Sequence, residues 1–250
     1  KNERVNIMTC EDPVEYDVEG INQSQVNEKV GLTFAKQLRA ILRQDPDVIL
    51  VGEIRDQETA QTAIRAALTG HLVLSTVHAN DAPSAVPRLL DMGVDPYLLS
   101  SSLIGTMAQR LVRQICPHCK TWRKPDEIEK ETLDLFGISM KKIADADGCD
   151  KCFNTGFQGR VAVHEILPIT KKLSRLVSVQ SSVEELAEAA STDGRYRAMC
   201  LDAMDRVQVG QISLKEARRL IDFDAIEEAA GTANLQLEEG GAPKTRRRAA

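Results

Sequence analysis

Residues 47–56 read DVILVGEIRD, and within them Val48-Ile49-Leu50-Val51 is an unbroken aliphatic run closed by Gly52. A short run of this kind predicts a strand buried on both faces, as in parallel α/β sheets. Glu53 and Arg55 follow the run at once. Ligands of open α/β sheets sit at the C-terminal ends of the strands. The segment therefore sets a carboxylate and a guanidinium where such a sheet meets a ligand.

The flanking sequence supports this class. Residues 5–10 read as a strand. Residues 33–43 carry Phe34, Leu38, Ile41 and Leu42 at helical spacing behind Thr33, a suitable N-cap. Residues 57–70 predict a helix ending at Gly70, 71–79 a strand, and 83–91 and 96–113 two more helices. Strands alternating with helices argue for a parallel sheet with helical crossovers. Beyond residue 115 the character changes. Residues 116–152 are rich in Lys and Asp and bracketed by cysteines, 159–167 read as a strand, and 170–223 as helices. The Gly-, Ala- and charge-rich tail from 228 reads as disordered, with Arg246–Arg248 a solvated run. The expected division is a core at 1–115, a cysteine-bearing subdomain at 116–159, a helical region at 160–227 and the tail at 228–250.

Composition narrows the function. A chain of 250 residues with 42% hydrophobic content supports one or two cored domains. A net charge of −5 argues against an electrostatic nucleic-acid binder. No apolar run approaches the roughly 18–20 residues that span a bilayer.

Three motifs carry potential chemistry. TCEDPVEY (9–16) puts Glu11, Asp12 and Glu15 directly after a strand, with Pro13 biasing Asp12 away from helix. Three close carboxylates suit either a solvated acidic loop or a cation site. HLVLSTVHAND (71–81) has a histidine at each end of one strand, with His78 at the C-terminal edge near Glu53 and His71 at the other. LRAILR (38–43) spaces Arg39 and Arg43 at i, i+4, either as a solvated face or as guanidiniums offered to phosphates. A phosphate-cradling G-x-x-x-x-G-K-[ST] loop has no match, and the expectation is a chain that starts after that loop and hydrolyses little ATP alone.

In this order, TCEDPVE, RQDPDVILVGEIRD and TGHLVLSTVHAND resemble the Asp box, Walker B and His box of the type II secretion and type IV pilus assembly ATPases. The likeness covers roughly residues 7–225. It implies a RecA-like ATPase core, with the phosphate loop just N-terminal to the Asp box. It implies that Glu11 polarises the attacking water, that Glu53 acts on Mg²⁺ and its water shell, and that Asp12 and Glu15 support them. His78 would contact the γ-phosphate and His71 would help hold the box. Arg39 and Arg43 match positions that reach phosphates, and Arg55 would signal to the next subunit.

The cysteines give an independent signal. CPHC (116–119) and CDKC (149–152) form two C-x₂-C pairs separated by 29 residues. That gap exceeds the usual zinc-ribbon spacing of about 15–20, so an insertion is expected. Cys116, Cys119, Cys149 and Cys152 suit a closed, structural Zn²⁺ site that does no chemistry. His118 reads as a non-ligand. NTGFQGRVAVHEIL (154–167) also resembles the family's segment after its tetracysteine motif. There Arg160 either approaches a neighbouring active site or makes a local contact.

The resemblance implies an ATP-hydrolysing motor using ATP, Mg²⁺ and Zn²⁺. It would act as a homo-oligomer, a hexameric ring, in the cytoplasm at the bacterial inner membrane. Its partners would be a platform protein and a cytoplasmic-domain partner of a secretion or pilus machine. A zinc-stabilised RecA-like nucleic-acid translocase is the alternative, which the acidic charge opposes.

Overall fold

A computed structural model describes residues 4–192 and 195–221. The tail expected from 228 lies outside the described residues. The chain forms two compact units. One draws on Lys1–Leu111 and Ala162–Asp202, the other on Val112–Val161 and Ala203–Ala250.

The first unit is built on β1 (Ile7–Glu11), β2 (Asn22–Gln25), β3 (Val48–Val51) and β4 (Leu72–Ser75). They form one sheet in the order β2-β1-β3-β4. All three pairings are parallel, with Met8 opposite Asn22 and Ile49, and Ile49 opposite Val73. Every strand therefore ends at the same edge, the one carrying Glu11 and Glu53. Ile49 and Val51 are fully buried, but Val48 and Leu50 are only partly so, and the aliphatic run is sealed on one face rather than two. On β4, Leu72 and Leu74 are 45% and 48% exposed, which leaves the last strand open on one side.

Helices cover the sheet through apolar stripes. In α1 (Phe34–Ile41), Phe34, Leu38 and Ile41 point inward and Thr33 caps the start by accepting from the N–H of Lys36. This helix stops two residues short of the expected 43, so Arg43 lies beyond its end. Asp56 caps α2 (Gln57–Leu68) by accepting from the N–H and Oγ1 of Thr59, both at 2.8 Å. α3 (Ala85–Asp91) and α4 (Pro96–Ser102) follow.

The helix expected over 96–113 is corrected here. α4 ends at Ser102, and β5 (Gly105–Ile115) begins three residues later. Ile104, Met107 and Leu111 mimic a helical stripe, yet they are 75%, 64% and 57% exposed. The segment instead pairs with β8 (Phe157–Pro168) in a two-stranded sheet, and this long-range pairing overrides the local period. α6 (Lys171–Ser178) and α7 (Val183–Ser191) then add Leu173, Val177 and Leu186 to the first unit's core.

In the second unit, β6 (Lys120–Arg123) and β7 (Ile143–Ala146) form an antiparallel pair, with α5 (Glu127–Leu135) between them in sequence. α8 (Met199–Gln208) and α9 (Leu214–Arg218) complete the described helices. Met204, Val207, Ile212, Leu214, Leu133 and Ile143 are each buried. Two forked ion pairs pin this unit. Arg123 donates to both oxygens of Glu129 at 2.7 Å and to Asp145 at 2.7 Å. Arg113 grips Glu216 through Nε and Nη2 while its guanidinium lies 4.0 Å from the ring centre of Phe157. Arg123 and Arg113 hold the Glu129 and Glu216 carboxyls below the usual carboxylate range.

Candidate functional site

The shared C-terminal edge of the sheet gathers five of the residues singled out above. Glu53 leaves the end of β3 and meets His78 at 3.1 Å, Oε2 to Nε2. The other oxygen of Glu53 accepts from Arg55, and Arg55 Nη1 lies 3.6 Å from Asp12 Oδ2 in the loop after β1. Glu11 closes β1 itself. Arg55 hydrogen-bonds the Glu53 carboxyl and holds it below its usual range against the opposing effect of burial, and His78 adds to the lowering. Glu53 is thus an ionised acid at neutral pH.

Backbone contacts fix this edge. The N–H of Gly52 donates to the Cys10 carbonyl at 2.8 Å, and that of Ile54 to Thr76 at 3.0 Å. Thr76 Oγ1 donates to the Gly52 carbonyl at 2.7 Å. A side chain at Gly52 would meet Cys10 O at 3.2 Å and Glu11 Cα at 3.3 Å, so glycine lets β3 end tight against β1.

Some supporting residues escaped sequence reasoning. Thr9 Oγ1 and Gln23 Nε2 both donate to Oε1 of Glu11, the latter at 2.9 Å. Thr9 stands two residues before Glu11, on the same face of β1, a signal the strand period could have given. Gln23 sits opposite Thr9 in the β1–β2 register. Nothing in the polar stretch Asn22–Gln25 announces a strand.

Other candidates lie apart. Glu15 is exposed. The ring of His71 contacts the Ala66 carbonyl at 2.8 Å and Thr69 Oγ1 at 3.2 Å, at the opposite end of β4 from His78. Arg39 pairs with Glu58 of α2 along an open groove between α1 and α2. Arg43 and, in the second unit, Arg160 are exposed.

The four paired cysteines converge in the second unit, their sulfurs all within 4.8 Å of one another. Cys116–Cys149 is 3.9 Å, and Cys119–Cys152 and Cys149–Cys152 are 3.8 Å. Tetrahedral Zn²⁺ with bonds of about 2.3 Å requires sulfurs about 3.8 Å apart, so the tetrad fits that ion. Burial raises the Cys152 thiol, but N–H groups of Cys149 and Gly156, each 3.3 Å from its sulfur, bring it down to about 6. His118 is exposed, and the cluster is made of the cysteines alone. The antiparallel pairing of Lys120 with Ala146 brings the two C-x₂-C pairs together across their long separation, and α5 occupies the interval.

A parallel sheet whose C-terminal edge carries acidic residues, an arginine and a histidine defines a RecA-like α/β core. The chain belongs to the type II/IV secretion system protein family, whose model matches residues 1–219. It is 49% identical over 218 residues to the type II secretion system ATPase E of Vibrio cholerae, covering 86% of this chain and 42% of that protein. It is 49% identical over 207 residues to the type IV pilus assembly ATPase PilB of Thermus thermophilus, covering 78% of this chain and 23% of that protein. Among solved structures, the pilus retraction motor PilT with bound ADP matches with a TM-score of 0.62 and 29% identity, over 87% of this chain and 53% of that one. The chain therefore spans less than half of the length of these curated relatives.

Proposed function

We propose that this chain is the catalytic part of an ATP-hydrolysing motor that drives pilin or pseudopilin assembly, or protein export, from the cytoplasmic face of the inner membrane. The observation that carries the reading is the Asp12–Arg55–Glu53–His78 chain of contacts at one sheet edge. A phosphate loop from a longer protein would supply the nucleotide cradle. β4 is the last strand in the sheet order, and its free edge suits the addition of the strand that leads into it.

In this reading Glu11 polarises the attacking water. Its Oε1 is occupied by Thr9 and Gln23, which orients the carboxylate. Glu53, kept ionised by Arg55, would hold Mg²⁺ through its water shell, with Asp12 adding negative charge beside Arg55 and Glu15 a more distant supporting charge. When bound, Mg²⁺ neutralises charge on the terminal phosphates. His78, 84% exposed and held by Glu53, is free to turn toward a γ-phosphate. His71 steadies the far end of the same strand. Arg39, paired with Glu58, and the exposed Arg43 suit the phosphates of a neighbouring subunit in a hexameric ring, with Arg160 as a further contact and Arg55 as the link between sites.

The cysteine tetrad would hold a structural Zn²⁺, leaving no open position for catalysis. It also favours the assembly or secretion branch, because retraction motors resemble the three boxes but generally lack a tetracysteine insertion. Among the described residues no helix is long and apolar enough to cross a membrane. In this reading a platform protein of the machine is the motor's partner at the membrane.

The test is Glu53→Gln in the full-length protein. The catalytic rate should fall by roughly a hundredfold or more while ATP binding persists, because the amide keeps the shape and loses the charge. Loss of nucleotide binding without a separable rate effect would reject the assignment.

A further inference from the structure

His78 has no packed environment of its own. Its side chain is 84% exposed, and among the described residues its ring hydrogen-bonds Glu53. Its position must come from the backbone on either side. Thr76 ties the start of this segment to the end of β3. The other end is gripped from the β5–β8 pair. Glu165 of β8 accepts from the N–H of Ala82 at 2.9 Å, Thr106 Oγ1 donates to the Ala82 carbonyl at 2.7 Å, and Arg110 donates to the Asn80 carbonyl at 3.0 Å.

Glu165 is the unusual member of this clasp. It is a carboxylate only 6% exposed, and no ion pair to it occurs among the described residues. Its second oxygen accepts from the hydroxyl of Tyr196. Burial, and then Glu165 itself, hold that phenol well above its usual range, so it remains a donor. Tyr196 is in turn fixed by its neighbour, because Arg197 and Ile166 exchange backbone hydrogen bonds at 3.1 Å in both directions. A buried acid whose two oxygens are both spent on donors, one of them in the histidine segment, is costly to keep and serves to hold that segment.

We propose that Glu165 is a positioning residue that sets His78 against the nucleotide edge through Ala82, with Tyr196 locking the carboxylate. The proposal rests on the reading that His78 acts in hydrolysis. It links that edge to the segment leading into the C-terminal helices by direct hydrogen bonds.

The experiment is a double-mutant cycle in the full-length protein, measuring kcat and KM for ATP. Glu165→Leu keeps a side chain of similar volume and removes both acceptor oxygens. The expected result is a kcat lowered roughly ten- to hundredfold by misplacement of His78, with KM within about twofold. In a His78→Ala background the same change should cost nothing further. Thr106→Val, which removes the hydroxyl donated to the Ala82 carbonyl, should show the same dependence on His78 and covers the case in which Glu165→Leu fails to fold. Equal losses in both backgrounds, or an unaltered kcat with His78 present, overturn the positioning role while leaving His78 in place. A silent His78→Ala overturns both the catalytic reading of His78 and the proposal built on it.

Discussion

Gly52 lies against Cys10 so closely that its N–H reaches the Cys10 carbonyl at 2.8 Å and a Cβ would stand 3.2 Å from the same oxygen. The strand delivering Glu53 is thus pressed onto the strand delivering Glu11 by the absence of a side chain. Gly52→Ala should force the two strand ends apart by a few tenths of an ångström and cost about 1–3 kcal/mol. Urea denaturation measures the loss, and ATP turnover of the full-length variant should fall with it. Wild-type stability and turnover together would show that the approach is not needed.

Arg55 controls the charge on Glu53. The folded Glu53 carboxyl lies below its unfolded value, chiefly through Arg55. Such a group contributes stability above the unfolded pKa of about 4.3, and that contribution is lost as pH falls through the lower folded value. The acid limb of turnover should follow the same carboxyl. Arg55→Met removes the main cause of the lowering, so the acid limb should move to higher pH. A pH–rate profile checks this, and an unmoved limb would free Glu53 from Arg55.

The cysteine tetrad makes a separate prediction. Elemental analysis should find about one zinc per chain, and Cys116→Ser should weaken zinc binding by more than about a hundredfold. Hydrogen exchange should then rise within 116–152 and stay unchanged in the parallel sheet, which lies in the other unit. Full zinc occupancy in the variant would reject Cys116 as a ligand.

Much of this site was legible before the fold was known. An aliphatic run followed by Glu53 announces a strand end, and in a parallel sheet that end gathers with those of its neighbours. Two C-x₂-C pairs announce a tetrad because four thiols at that spacing have few other uses. What stayed hidden depends on pairing. β2 is wholly polar and becomes a strand by lying beside β1, which is how Gln23 comes to hold Glu11. The stretch from Gly105 to Ile115 carries a helical stripe and becomes a strand because β8 is there to pair with it. Glu165 reads as one charge in an alternating strand, and its role follows only once Ala82 is seen against it, 83 positions away in sequence.

The β6–β7 ladder has a consequence for chain length. Both cysteine pairs abut it, one just before Lys120 and the other shortly after Ala146, so the ladder rather than the intervening chain sets the distance between them. Doubling the length of such an interval costs only about 0.6 kcal/mol in closure entropy. Within residues 124–142, Glu129 under the hold of Arg123 and the buried Thr132 and Leu133 anchor α5, while the exposed positions around them can change in number without moving a sulfur. The length of the exposed interval and the geometry of the thiol cluster are thereby set by separate parts of the unit.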